Sequence, residues 1–215
     1  SLDDVSEGDD WAFKGSLAWR FAPDKLVYAT WSEGFRAGGV NRARVPGIPK
    51  YQPDFVTNYE IGWKTEWADG ALRFNGAAYI VDWDDFQYGF LDFTISNLTI
   101  VQNVGNAQTK GLEFELTWAA TENLLLTAAG SYNDAQLEDD FWRSAADRDE
   151  GLPPDAPDGT PMPYVPEFQY SLIGRYNFDL STMPMFAQAA WSWRDGTLND
   201  LGVTNERRRY MDSYG

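Results

Sequence analysis

The chain has 215 residues, with 33 acidic and 17 basic side chains for a net charge of −16, no Cys, no His and 16% aromatic residues. The missing Cys and His exclude disulfides, thiolate nucleophiles, iron–sulfur clusters, imidazole-based triads and the usual zinc sites. So acidic a chain would repel nucleic acid, and its longest uninterrupted apolar run, Ala77 to Val81, has five residues against the roughly 18 that a membrane helix needs; a β-barrel crosses without one.

Taken in chain order, apolar residues recur at every second position. Trp11, Phe13, Gly15, Leu17, Trp19 and Phe21 alternate with mostly polar neighbours. Weaker alternation follows at 25–36, then Tyr59, Ile61, Trp63, Thr65 and Trp67, and a weaker stretch at 71–83. Leu112, Phe114, Leu116 and Trp118 come next, followed by 124–134. Phe168, Tyr170, Leu172, Gly174, Tyr176 and Phe178 close the strong cases, with 185–194 beyond them and a ninth strand starting near Tyr210. A period of two with one apolar and one polar face predicts antiparallel strands. The eleven prolines all fall outside these stretches, as central strands require.

The connections alternate in length. Tight turns are predicted at 22–25, 68–70, 120–123 and 180–184, and long loops at about 37–55, 84–106, 137–166 and 195–209. Short turns gathered at one end and long loops at the other are the mark of an outer-membrane barrel, with the turns on the periplasmic side. The aromatics fit two girdles. Trp11, Phe35, Tyr59, Tyr132, Phe168, Trp191 and Trp193 fall near the outer end, and Phe21, Trp67, Trp118, Tyr176 and Phe178 near the inner end. Ten residues separate Trp11 from Phe21; at ~3.3 Å each and a tilt near 45° they cover roughly 23 Å, close to the ~25 Å apolar band of such barrels. Trp19 and Trp63 sit deeper than this scheme prefers.

Acid is concentrated outside the strands: residues 1–10 carry −5, 84–105 carry −3, and 137–166, with eight acids and two arginines, carry −6. Solvation explains this most simply. Attraction of a cationic or metal-bearing ligand is the sharper reading, but the acids of 137–166 lack the spacing of a calcium loop. Asp82, Asp84 and Asp85 read as an Asp-rich loop start rather than a catalytic pair. Gly34 to Gly39 is not followed by the helix and Lys of a phosphate loop. Phe141 to Ala146 is read as one short helical turn within a loop. No catalytic residue, metal ligand or cofactor is expected.

Several strings resemble the barrel of TonB-dependent outer-membrane receptors, in its C-terminal part. They are Leu26 to Asn41, with its Gly34-Phe35-Arg36-Ala37-Gly38-Gly39 core; Tyr51-Gln52-Pro53-Asp54 followed by Asn58-Tyr59-Glu60-Ile61-Gly62-Trp63-Lys64; Asn103-Val104-Gly105-Asn106-Ala107 followed by Lys110-Gly111-Leu112-Glu113; and Val165-Pro166-Glu167. Asp54 stands where Glu is more usual. The resemblance implies an all-β fold: about nine strands of a 22-stranded antiparallel transmembrane barrel in the bacterial outer membrane, over residues 1–215. The plug domain and the C-terminal strands have no counterpart here.

By that resemblance the function is uptake of a scarce ligand (ferric siderophore, cobalamin or glycan) with energy delivered by TonB through the absent N-terminal part. The partners are outer-membrane lipid and a small-molecule or metal-chelate ligand. Loop residues Arg36, Asn41, Arg42, Arg44, Gln87, Tyr88, Trp142 and Arg143 are the candidates to contact it, because aromatic and polar groups on loops around a vestibule suit physical binding. Two alternatives stay open: a small passive eight-stranded barrel acting as adhesin or structural protein, and a soluble β-sheet binding domain.

Overall fold

The alternation becomes ladder pairing in a computed structural model, which describes residues 10–41, 50–91, 99–202 and 210–211. The strands are β1 (Lys14–Ala22), β2 (Lys25–Arg36), β3 (Asp54–Trp67), β4 (Leu72–Asp84), β5 (Gln87–Leu91), β6 (Thr99–Asn103), β7 (Ala107–Ala119) and β8 (Leu124–Leu137). One helix among the described residues, α1 (Ala145–Asp149), precedes β9 (Phe168–Leu180), β10 (Met183–Arg194), β11 (Thr197–Leu198) and β12 (Tyr210–Met211). Eight long strands form one antiparallel sheet in the order β1-β2-β3-β4-β7-β8-β9-β10, so each pairs with its sequence neighbour once the β5–β6 hairpin is set aside. The four predicted turns join these strands at one end. Two residues suffice between β1 and β2 and between β9 and β10. Ala68, Asp69 and Gly70 all take positive φ between β3 and β4.

The faces separate by parity. Trp11 (82% exposed), Leu17 (76%), Trp19 (66%) and Ile61 (60%) lie on the convex side, with Leu172, Tyr176 and Trp191 also exposed there. The opposite, concave face lines a hollow of about 1060 Å³ with Lys64, Asn75, Glu113, Glu115, Ser171 and Arg194. Tyr28 and Tyr79 lie on that face directly opposite Gly62 and Gly111 in the ladder. A Cβ at either glycine would fall 2.4 or 2.2 Å from the facing ring, so each ring covers bare backbone and each glycine is needed for the close approach. Trp63, one of the two deep tryptophans, lies likewise over Gly76 on the convex face.

An apolar surface this continuous cannot face water in a soluble domain, where exposed patches seldom exceed a few hundred Å². A lipid-facing wall requires it. The sheet is also open: β1 and β10 are its two edges, and they are not paired with each other among the described residues. An eight-stranded barrel would need that pairing, because closure is what removes edges. Tyr210–Met211, near the expected start of a ninth strand, pairs with Thr197–Leu198 in a two-residue ladder separate from the eight-stranded sheet.

Three sequence expectations are corrected. The long loop expected at 84–106 contains two strands that the sequence reading does not place, the β5–β6 hairpin. The short helix is Ala145–Asp149 rather than a turn at 141–146; Phe141 is instead held in a bridge with Ala156. Pro184 falls inside a strand, as the second residue of β10. It stands beside the turn, at the very start of the strand, where a missing N–H costs the ladder least.

The packed core of the described residues lies in the loops, not in the sheet. Phe90, Ile100, Val104, Ala107, Leu137, Phe141, Ala156 and Leu201 are buried together, with Trp83, Phe86, Tyr88 and Met162 against them. Trp83, Ala107 and Leu137 are consecutive partners across β4, β7 and β8. By parity all three face the concave side. The loops therefore fold inward as a cap on the loop-bearing end of the wall.

Candidate ligand-binding site

Two polar anchors tie this cap together, and most of the sequence candidates belong to them. At the top of β3 the carboxylate of Asp54 is fully buried. It pairs with the guanidinium of Arg36, accepts from Trp83 Nε1 at 3.0 Å and from the Gln87 backbone N–H at 3.0 Å. Arg36 also donates to the Gln87 carbonyl at 3.1 Å and stacks 4.9 Å from the Trp83 ring centre. The Gln87 side chain donates to the carbonyls of Gln52 (2.9 Å) and Ala37 (3.2 Å). Thus the Arg36 and Asp54 strings, 18 residues apart, meet at the base of the hairpin. The glycines after Arg36 serve this meeting as well. A Cβ on Gly38 would lie 2.6 Å from the Tyr51 carbonyl, and Gly39 bridges Tyr51. Asn41 uses both ends of its amide on the backbone of Val101, at 2.8 Å each.

The second anchor joins segments far apart in sequence. Arg143 donates to both carboxylate oxygens of Asp200 at 2.9 and 3.1 Å, and its guanidinium carbon lies 5.1 Å from the Phe90 ring centre. The Tyr88 hydroxyl donates to Asp200 at 3.1 Å and accepts from the Leu201 N–H at 3.3 Å. Burial, reinforced by the Asp200 charge, pushes the Tyr88 hydroxyl up to about 12, so it stays a donor. Burial alone would raise the Asp200 carboxyl; the Arg143 charge, together with hydrogen bonds from Gly202, Tyr88 and Arg143, holds it below the usual carboxylate value.

Beside this anchor lies a pocket of about 410 Å³ between the β5–β6 hairpin and the 138–152 segment, lined by Lys50, Gln102, Phe141, Trp142, Arg143 and Arg148 among others. Its volume is within the ~300–1,000 Å³ of small-molecule sites. Trp142 is fixed by its Nε1 donating to the Leu152 carbonyl at 2.9 Å. Of the sequence candidates, Trp142 and Arg143 line the pocket; Arg36, Asn41, Gln87 and Tyr88 sit in the surrounding scaffold. Arg42 and Arg44 lie outside the described residues. Lys50, Gln102 and Arg148 were not among the candidates. Arg148 had a signal, being one of only two arginines in the acidic segment.

Asp82 and Asp85, two of the three aspartates at the head of the 84–106 loop, have structural roles. Asp82 accepts from Gln108 at 2.7 Å, and Asp85 takes positive φ in the turn into the hairpin. No three carboxylates among the described residues converge closely enough to hold a metal ion.

Residues 2–215 match the TonB-dependent receptor-like β-barrel family. The chain belongs to that family. The ferric-pyoverdine 358 receptor of Pseudomonas putida is 30% identical over 96 residues, which is 44% of this chain and 11% of that receptor. Among solved structures, the ferric yersiniabactin uptake receptor FyuA of Yersinia pestis superposes with a TM-score of 0.69 at 18% identity, over 92% of this chain and 27% of its own. BauA, the ferric preacinetobactin receptor of Acinetobacter baumannii, gives 0.61 at 17% identity over 86% and 25%. The chain thus spans about a quarter of the length of these receptor structures. TonB-dependent receptor barrels are proteins of the bacterial outer membrane, and so is this one; the matched relatives are receptors and transporters, not enzymes.

Proposed function

We propose that this chain is the later part of a 22-stranded barrel whose plug and remaining strands lie outside it, and that the whole protein takes up a scarce metal chelate with energy from TonB. The family match over nearly the whole chain supports the receptor part. Ferric siderophore receptors among the relatives support iron chelates over cobalamin or glycans. Binding is physical: the wall carries the loops, and the cap presents a preformed pocket with aromatic and cationic lining. The concave face, polar and hollow, suits an internal domain more than an empty channel. Trp142 and Arg143 are the ligand contacts of this reading; Arg36, Asn41, Gln87 and Tyr88 hold the loops in place.

The single observation that carries it is the open, one-sided sheet bearing a folded cap at its long-loop end. Deleting the full gene in its native strain should abolish uptake of at least one radiolabelled ferric chelate, and loss of TonB should abolish the same uptake. Uptake that survives TonB loss would mean a passive barrel instead.

A further inference from the structure

We propose that the transported ligand passes along the β8–β10 part of the concave face; this rests on the receptor reading above. Side chains divide across that face. On β3, β4 and β7 the ladder register turns Glu60, Lys64, Glu66, Arg73, Glu113 and Glu115 inward. On β8, β9 and β10 two consecutive inward rows, Ala129–Ser171–Ser192 and Thr127–Ile173–Ala190, hold neither a charge nor a ring. Ser131 and Gln169 extend this strip toward the loops, and Gln188 extends it toward the turns. Arg194 and Arg175 stand at its two ends. Arg175 is turned away from it: its guanidinium lies 3.9 Å over the Phe186 ring and donates to Asn177 at 3.2 Å, both one row nearer the turns.

The two halves suit different tasks. Arg73 pairs with Glu66 at 2.9 Å, whereas Glu60, Glu113 and Glu115 make no ion pair among the described residues. Carboxylates enclosed in a lumen need polar or cationic partners from whatever faces them, and charge-assisted contacts of that kind hold a surface fast. A ligand in transit needs the opposite: many weak contacts, favourable enough to enter and loose enough to leave. The hydroxyls and amides of Ser131, Gln169, Ser171 and Ser192 supply such contacts, and Ala129 and Ala190 leave room between them. Bulk follows the same division, because the Tyr28 and Tyr79 rings stand over β3 and β7 in the charged half. Both halves border one space, since the hollow of about 1060 Å³ reaches from Tyr28 to Ser192. An internal domain held by the charged half loses least contact when the gap opens over the strip.

The test uses the full-length receptor, with any other cysteines replaced, in cells lacking other uptake routes. Radiolabelled ferric citrate, a ferric tris-catecholate, a ferric trihydroxamate and ferric pyoverdine are the probes. Ser171→Cys and Asn75→Cys place single thiols in one ladder row, the first in the strip and the second in the charged half. Ser192→Cys, directly opposite Ser171, repeats the test at a second point of the strip. Transport by each variant before treatment shows that it folds. A small water-soluble methanethiosulfonate is then added. It should react at Ser171→Cys and Ser192→Cys and lower the uptake rate about tenfold with surface affinity for the chelate unchanged, because bulk in a passage slows movement and not capture. Asn75→Cys lies beneath the internal domain and should stay unmodified. Strip thiols that do not react, or that react without loss of rate, would overturn the proposal and leave the receptor reading standing. Equal modification and equal loss in both halves would do the same. If none of the four chelates enters, the iron-chelate reading fails and the proposal falls with it.

Discussion

Replacing Asp54 with alanine is expected to weaken the base of the cap by about 3 kcal/mol. The magnitude follows from what is left behind. Trp83 Nε1 and the Gln87 N–H both point at the fully buried carboxylate; each buried donor without an acceptor costs about 1–3 kcal/mol. Arg36 adds less, because its side chain is 48% exposed and can turn to water. Removing one member of a buried pair is costly for the same reason. Since about 1.4 kcal/mol is a factor of ten in an equilibrium constant, amide exchange in β5 and β6 of the full-length protein should accelerate about a hundredfold. Exchange within threefold of wild type would show that the anchor does not hold the hairpin. Asn at this position keeps the shape but not the charge, and should fall between the two.

Leu137→Ala is expected to cost a similar amount by a different route. Leu137 is wholly buried in the cluster with Phe90, Ile100, Phe141 and Ala156, so truncation removes apolar burial and leaves a cavity. Leu-to-Ala changes of this kind cost about 2–5 kcal/mol. The position lies at the last residue of β8, above the lipid-facing rows. Exchange and protease sensitivity should therefore rise in 99–104 and 138–165 while 112–118 lower in the wall stays protected. Loss of protection in both regions would show that cap and wall are a single cooperative unit, contrary to the separation described above.

These two residues also mark the boundary of what the sequence discloses. The wall was legible because its rule is local: every second side chain meets lipid, and Phe168 to Phe178 obeys that rule without reference to any other strand. Loop asymmetry was legible for the same reason. The hairpin was not, since Gln87–Leu91 and Thr99–Asn103 are five residues each, too short for periodicity to stand out from loop sequence. The anchors depend on distant partners. Arg143 and Asp200 are 57 residues apart, and Tyr88 and Asp200 are 112 apart. Arginine and aromatic residues in a loop suggest ligand contacts because those types suit recognition. The same properties, a planar multi-donor head and a large face with a polar edge, suit the internal bracing that Arg36 and Tyr88 provide. Residue type alone does not separate the two uses; the position of the partner does.

The wall itself is the claim on which everything else stands, and β9 tests it most directly. Nitroxide labels placed one at a time from residue 168 to 178 in the full-length receptor, reconstituted in a bilayer, report collision with oxygen dissolved in lipid. The prediction is a period of two, with high oxygen accessibility at Leu172, Gly174 and Tyr176 and low accessibility at Ser171, Ile173 and Arg175. Accessibility without that alternation, or equal access of a water-soluble nickel chelate to both sets, would contradict a membrane-spanning strand with one lipid-facing side.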